Sequence, residues 1–325
     1  MAKTIAILGV TGNQGGSVAS TFLSLGWQVR GITRSATSPA ALDLKARGIT
    51  LIEADQDDSA SLVKAFSGAH VIFAMTDFWA AFSESYGKLS KVSDRAAGEH
   101  AREIEVTRGK KLVDAAAKVL ADEAVLERFV LSTLPGFKDV SGGKYTFAYH
   151  FDGKADISAY LKGKETLWAK SSLLNMGFYM TNLVKSGTMV GFTKKYVMRK
   201  PGKNTAIHPF VNTRDTGAFV ELLVNSPPCQ DLLGVSEMGS YNTFMELLTE
   251  VSGKSCISQE ISVEDADKAL PGGLGREVGE STATSAEFGW GKHLVMPKDL
   301  NPDIKLTSLR KYIEGENWTD LFNKM

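Results

Sequence analysis

Thr4–Gly16, TIAILGVTGNQGG, begins with an apolar run, Ile5–Val10, that breaks into glycines at Gly9, Gly12 and Gly15. An amphipathic segment, Val18–Leu25, follows directly. This order predicts a buried strand, a tight turn and the first turn of a helix. Each glycine has a mechanical reason: one for a sharp turn, one for close approach of a pyrophosphate to the backbone, one for packing helix against strand. A helix start also presents unpaired N–H groups and a partial positive charge to an anion. Gly9, Thr11, Gly12, Asn13, Gln14 and Gly15 are therefore the candidate phosphate-binding residues of a dinucleotide site.

Strands and helices alternate after this joint. Trp27–Thr33 predicts a strand that ends at Arg34, where the adenosine ribose of a bound dinucleotide would lie. An Asp or Glu there would hold the 2′-hydroxyl of NAD; the arginine fork suits a 2′-phosphate, which points to NADP(H). Further strands are expected at Ile49–Glu53, Val71–Met75, Arg128–Ser132 and Leu167–Leu174, with helices at Ala40–Arg47, from Asp58 to Ser67, at Glu99–Leu120 and at His150–Leu161. Asp57 and Asp58 read as capping residues, and Asp55 and Gln56 as candidates for the adenine edge. Thr76–Gly98 reads as a long polar-aromatic loop, and Asn175–Gly177 as a turn before a short helix from Tyr179. The pattern predicts an α/β fold, a Rossmann-type doubly wound parallel sheet with a smaller C-terminal α+β lobe. Residues 1–178 form the dinucleotide unit, with the helix around 213–225 returning to it; 179–325 form mainly the lobe for substrate or partner. In that lobe we expect strands at Met189–Val197, Ile207–Asn212, Gly234–Glu237 and Cys256–Val263, and helices at Tyr241–Val251, Glu264–Leu270 and Ser308–Glu314. Pro271–Lys298 is glycine-rich and carries no readable period.

Composition narrows the partners. With 37 basic and 37 acidic residues the chain lacks the basic surplus that nucleic acid asks for. Cys229 and Cys256 sit in no metal-ligand spacing, so free thiols are expected and no metal. No leader or membrane-length apolar run is read, which predicts a cytoplasmic protein with nuclear access open, a monomer or homodimer.

Five stretches fall in order and at compatible spacing: TGNQGG (11–16), ADQDD (54–58), TDFW (76–79), HFDGK (150–154) and LNMGFYMTN (174–182). Together they resemble the NmrA-like family, an atypical branch of the short-chain dehydrogenase/reductase superfamily, and within it the NADPH-sensing members most. The resemblance implies an NADP(H) cofactor across the carboxyl edge of the sheet, with Thr76 and Lys154 near its ribose and nicotinamide. It also raises the question of chemistry. The superfamily reduces carbonyls with a Tyr-x-x-x-Lys pair, in which lysine holds the ribose and lowers the tyrosine pKa, helped by a Ser or Thr after the fifth strand. Here Lys154 is present but His150 stands in the tyrosine's place, four residues earlier and so on the same helix face. A literal Tyr160-x-x-x-Lys164 lies too far along the helix to serve.

Two functions follow. In one, His150 or the adjacent Tyr149 gives a proton, Lys154 orients cofactor or polarises a carbonyl, and Ser132 and Thr133 donate hydrogen bonds; an unperturbed imidazole is a competent acid at neutral pH. Gly177 and Phe178 are also candidate cofactor-binding residues, and with Tyr179, the aromatic loop and the tail around Phe288–Trp290 they would form the pocket over the nicotinamide for a small carbonyl, enone or imine-type metabolite. In the other, the chain is a non-catalytic NADP(H) sensor acting through a regulatory protein partner, with Thr76–Gly98 ordered by the cofactor. His70, His100, His208 and His293 read as surface, capping or packing residues, with His293 also placed to border the pocket.

Overall fold

The structure is a computed structural model that describes residues 2–185, 196–319 and 322. Its first half alternates as expected: β1 (Thr4–Leu8), α1 (Asn13–Ser24), β2 (Gln28–Thr33), α2 (Pro39–Ala46), β3 (Thr50–Glu53), α3 (Ser59–Phe66) and β4 (Val71–Ala74). Asp58 caps α3, accepting from the N–H groups of Ala60 and Ser61. Residues 76–98, expected as a loop, are instead α4 (Phe78–Leu89) and the start of α5 (Ala96–Glu123). Asp77 caps α4, and Phe78, Ala81 and Phe82 form its buried face. Those residues recur at helical spacing, and Ser83, Glu84, Ser85 and Gly87, which follow them, disguise the period. After α5 come β5 (Arg128–Thr133), α6 (Phe137–Val140), α7 (Tyr149–Lys162) and α8 (Glu165–Trp168). The strand expected at 167–174 begins later, as β6 (Ser171–Met176), because Glu165–Trp168 closes a helical turn first.

Beyond β6 the turn and helix expected at 175–179 are replaced by a continued strand and by β7 (Phe178–Tyr179), with α9 (Asn182–Lys185) after it. The strand expected at 189–197 lies outside the described residues apart from its last two, and β8 (Val197–Pro201) runs on from there. Then follow β9 (His208–Val211), α10 (Thr216–Asn225), β10 (Asp231–Gly234), β11 (Glu237–Gly239), α11 (Tyr241–Ser252), β12 (Ile257–Ile261) and α12 (Val263–Ala269). The unread stretch 271–298 holds α13 (Leu274–Phe288), a fifteen-residue helix, and the start of α14 (Pro297–Leu300); α15 (Leu309–Gly315) closes the chain. The buried residues of α13 are mostly small or polar, among them Gly279, Ser281, Thr282, Ala283, Thr284 and Ser285, so it lacks the apolar stripe by which helices are read.

Seven parallel strands form the main sheet in the order β10-β6-β5-β4-β1-β2-β3. The order reverses between β1 and β4, and ligands of doubly wound sheets bind in the crevice at the carboxyl ends of strands at such a point. One core lies between the sheet and α3, α5 and α7, and another between the sheet, α1 and α10. α10 reaches α1 closely because Gly217 has no side chain: its N–H donates to Ser17 Oγ at 2.9 Å, and a Cβ would fall 2.7 Å from the Ser17 carbonyl oxygen. Two smaller sheets, β11-β9-β7 and β12-β8, belong to the part beyond β6. They sit beside a core of Phe210, Tyr241, Phe244, Leu248, Leu309 and Trp318. Trp318 and Phe322 pack the tail onto this core, as their apolar character predicts. No helix among the described residues is long and apolar enough to cross a membrane. Both cysteines are free thiols, Cys229 exposed and Cys256 buried.

Candidate functional site

The three glycines of the first joint divide the work expected of them. Gly9 turns the chain at φ +67°, in the left-handed region that favours glycine. Gly15 lies against the Gly9 carbonyl so closely that any Cβ would collide with it. Gly12 is the N-cap of α1 and offers no side-chain cap, and no acidic residue follows in the first turn. The N–H groups at this end are thus left for an anion, and Thr11, Gly12 and Asn13 are exposed. Arg34 is also exposed, just past β2. Gln56 turns its amide to the Met75 carbonyl (3.3 Å), while the Asp55 carboxylate takes the Asp57 N–H (2.8 Å) in a local turn.

A cavity of about 740 Å³ opens from this joint along the carboxyl edge of the sheet. Asn13, Gln14, Thr76, Ser132, Thr133, His150, Lys154, Gly177 and Phe178 all line it, so most of the residues singled out from sequence meet in one place. Ser132 donates to Gln14 Oε1 (2.7 Å), and Gln14 Nε2 donates to the Tyr179 phenol (2.5 Å). Burial pushes the Tyr179 hydroxyl up to about 12, so it remains a protonated donor at neutral pH. Thr133 is turned the other way: its hydroxyl donates to the Lys154 carbonyl (3.1 Å) and pairs with Ser158 (2.7 Å), fastening β5 to α7. Tyr149 does not reach the cavity. Its phenol accepts from Arg95 (2.7 Å) beneath Phe147, which corrects the expectation that it stands beside His150 as a proton source. Tyr160 and Lys164 both bind Asp114, at 2.8 and 2.9 Å, away from the site.

Two carboxylates that sequence reading passed over organise the centre. Glu105, in the middle of α5 and only 1% exposed, pairs with Lys154 and accepts from the Thr76 hydroxyl at 2.8 Å. Lys154 Nζ also reaches Thr76 Oγ1 at 3.2 Å. Glu277, on α13 and equally buried, takes both the backbone N–H of His150 (2.9 Å) and its ring Nδ1. Burial raises the Glu277 carboxyl above the usual range, and the bonds from His150 oppose that rise. With Nδ1 engaged, Nε2 is the ring nitrogen left for the cavity, the arrangement by which a carboxylate fixes an imidazole tautomer. Glu280, one turn further on, accepts from the N–H groups of Thr146 (2.6 Å) and Phe147 (2.7 Å), so α13 holds the whole approach to α7. Neither carboxylate was readable: Glu105 lies among surface charges of a long helix, and Glu277 lies in the stretch without a period.

Aromatic rings enclose the cavity. Trp79 and Phe78 lie 5.0 and 5.8 Å from the His150 ring, centroid to centroid. Phe78 and Phe82 are buried and fasten α4, and with Trp79 they also line the space. Trp290 lines it as expected, but Phe288 points out and is 45% exposed. His293 is exposed beside Asp231 and does not border the cavity. His208 is buried, as a packing role requires, and bonds Ser285 at 2.8 Å. At the end toward the two smaller sheets lies Lys200, on β8, 6% exposed. Desolvation lowers its ammonium from 10.5 to about 7.

The fold is a parallel α/β sheet of Rossmann type. The NmrA-like family model matches residues 1–318, and the chain belongs to that family. An NmrA-like family domain-containing oxidoreductase of Aspergillus hancockii is 31% identical over 56% of this chain and 48% of its own. The chain thus spans about half the length of that curated relative. Among solved structures, the triphenylmethane reductase of Citrobacter sp., complexed with NADP(H), superposes with a TM-score of 0.71 at 16% identity, covering 95% of this chain and 99% of the other. NmrA, a negative transcriptional regulator, superposes with a TM-score of 0.70 at 16% identity over 97% and 95% of the two chains. At these identities the structures share the fold.

Two measurements follow from the buried charges. Lys154→Met strands the Glu105 carboxylate, and Glu105→Leu strands Lys154; each is expected to cost about 3–5 kcal/mol in denaturant unfolding. The double variant is expected to recover much of that loss, a coupling that a double-mutant cycle reads directly. For Lys200, the unfolded chain holds a proton between about pH 7 and 10.5 that the folded chain does not, so the cost of burying the ammonium fades as pH rises. Lys200→Met should therefore be more stable than the wild type at pH 7, and the gap in unfolding free energy should close toward pH 10.5. A gap that is constant with pH, or of opposite sign, would contradict this.

Proposed function

We propose that the protein is an NADP(H)-dependent oxidoreductase that reduces a small carbonyl, enone or imine-type metabolite. The observation that carries this reading is the pairing of His150 with the buried Glu277 in the same cavity as Lys154. A buried carboxylate that holds an imidazole facing a cavity is an arrangement suited to proton transfer. The cradle fits the dinucleotide: an uncapped helix N-terminus without nearby acids suits the pyrophosphate, and exposed Arg34 after β2 favours a 2′-phosphate over a bare hydroxyl. The name of the A. hancockii relative and the NADP(H) in the Citrobacter reductase point the same way.

When bound, the cofactor supplies a hydride. Lys154, held by Glu105 and Thr76, offers N–H donors to ribose hydroxyls at the cavity wall. His150 Nε2 passes a proton to the substrate atom on which negative charge develops, and Glu277 stabilises the imidazolium before that transfer. The Tyr179 phenol, already accepting from Gln14, keeps its own O–H to donate to a substrate oxygen. The rings of α4 and Trp290 keep water from the reacting atoms. The sensor reading draws on the histidine in the tyrosine's place and on a loop at 76–98 for the cofactor to order; most of that segment is helix α4, whose apolar face is already packed.

The test is NADPH consumption against a panel of aldehydes, ketones, enones and imines. His150→Gln is expected to lower turnover by roughly 10²–10⁴-fold with the NADPH dissociation constant unchanged. Lys154→Met should weaken both, and Arg34→Ala should narrow the preference for NADPH over NADH. Turnover by His150→Gln equal to the wild type would remove the proton-donor role. No consumption with any substrate would remove the enzyme reading.

A further inference from the structure

The cavity is larger than the chemistry described above uses. Past His150 and Lys154 it runs into the smaller lobe, where its walls are the aromatic rings of Phe178, Phe210, Tyr241 and Trp290. Two cations of β8, Arg199 and Lys200, line this end of the cavity. Lys200 makes no hydrogen bond or ion pair among the described residues, and no carboxylate there offsets its charge. The titratable group it does sense is His208, held on β9 behind the rings and itself depressed to about 4 by burial and by Lys200. Beside it on β8, Arg199 Nε is also buried without an acceptor.

An ammonium left in such a place is expensive, because burial takes away water and gives nothing in return. Structural lysines avoid this by pairing, as Lys154 does with Glu105 in the same cavity. Nothing in the packing of β8 calls for a charge either: Val197, Met198 and Pro201 of the same strand are buried apolar or cyclic residues, and a methionine would fill the Lys200 volume. Among the described residues no anion is left to pair with Lys200, and the cavity it lines has room for a ligand.

We propose that Lys200 is a substrate-anchoring residue, and that the substrate is an apolar, ring-bearing molecule carrying a carboxylate that Lys200 receives while the reducible group lies toward His150. This deepens the oxidoreductase reading and rests on it. The aromatic walls take the rings, and the carboxylate restores the full charge of the ammonium, whose proton affinity is lowered while it stands unpaired. A charge-assisted hydrogen bond formed in a dry site separates an acid from its neutral analogue far better than one made in water.

The experiment is calorimetric titration of the full chain with 2-naphthoate and with its neutral isostere 2-naphthamide, in the presence and absence of NADP⁺. Titration with NADP⁺ alone comes first, so failure of the cofactor reading shows as the absence of that isotherm whatever the two probes do. The expected result is that naphthoate binds tighter than the amide by about tenfold or more, the range of a hydrogen bond to a charged group. In Lys200→Met and Lys200→Gln that preference should fall by the same factor, with NADP⁺ affinity unchanged as evidence of an intact fold. Equal binding of the two probes, no binding of either, or a preference undiminished in both variants would overturn the proposal.

Discussion

The site depends on how closely α5 and α7 approach. Three positions set that distance. A Cβ on Gly98 or Gly109 of α5 would run into the rings of Tyr149 or the side chain of Ile157, and one on Gly153 of α7 would lie 3.1 Å from Arg102 and Glu105. With side chains absent at these points, the helices close until a carboxylate in the middle of one meets an ammonium in the first turns of the other. The Glu105–Lys154 pair is the product of that fit, and it is sealed: Glu105 is almost wholly buried. Both charges are fixed relative to the carboxyl edge of the sheet, since Thr133 at the end of β5 bonds the Lys154 backbone. Lys154 is held at the place where the sheet's ligand edge and the cavity coincide.

A second constraint arrives from much later in the chain. α13 carries Glu277 and Glu280 at one-turn spacing, and together they accept the N–H groups of Thr146, Phe147 and His150. This does more than satisfy backbone donors at the start of α7. It sets the His150 ring between a buried carboxylate and the rings of α4, so that only one nitrogen is left to face the cavity. Residues more than a hundred positions apart thus fix the orientation of one imidazole. The cavity is divided along its length: the uncapped start of α1 at one end, Lys154 and His150 in the middle, an aromatic chamber with Lys200 at the far end.

How far this could be read from the chain depended on whether the signal was local. The glycine joint at 9–15, the alternation through β5 and the parallel sheet were legible because each rests on short-range periodicity and turn chemistry. Lys154 and His150 were legible because four-residue spacing puts them on one helix face. α4 was missed because serines and a glycine break its apolar stripe, and α13 because its buried face is made of small and hydroxyl-bearing residues. The carboxylates Glu105 and Glu277 belong to the same class of omission: a buried acid looks like a surface acid until the partner that neutralises it is seen. Tyr149 shows the converse. Adjacent to His150 in sequence, it leaves the helix about 100° away and finds Arg95 instead.

On the proposed reading, the space between α7 and α13 is a place for reduction and not only a holder for a dinucleotide. The most direct measurement is a crystal structure of the protein with NADPH. The nicotinamide is expected in the cavity, its ribose hydroxyls on Lys154, with open space between the ring and His150 Nε2. A nicotinamide covered by Phe178 or Trp290, or a cofactor seated away from Lys154, would contradict it.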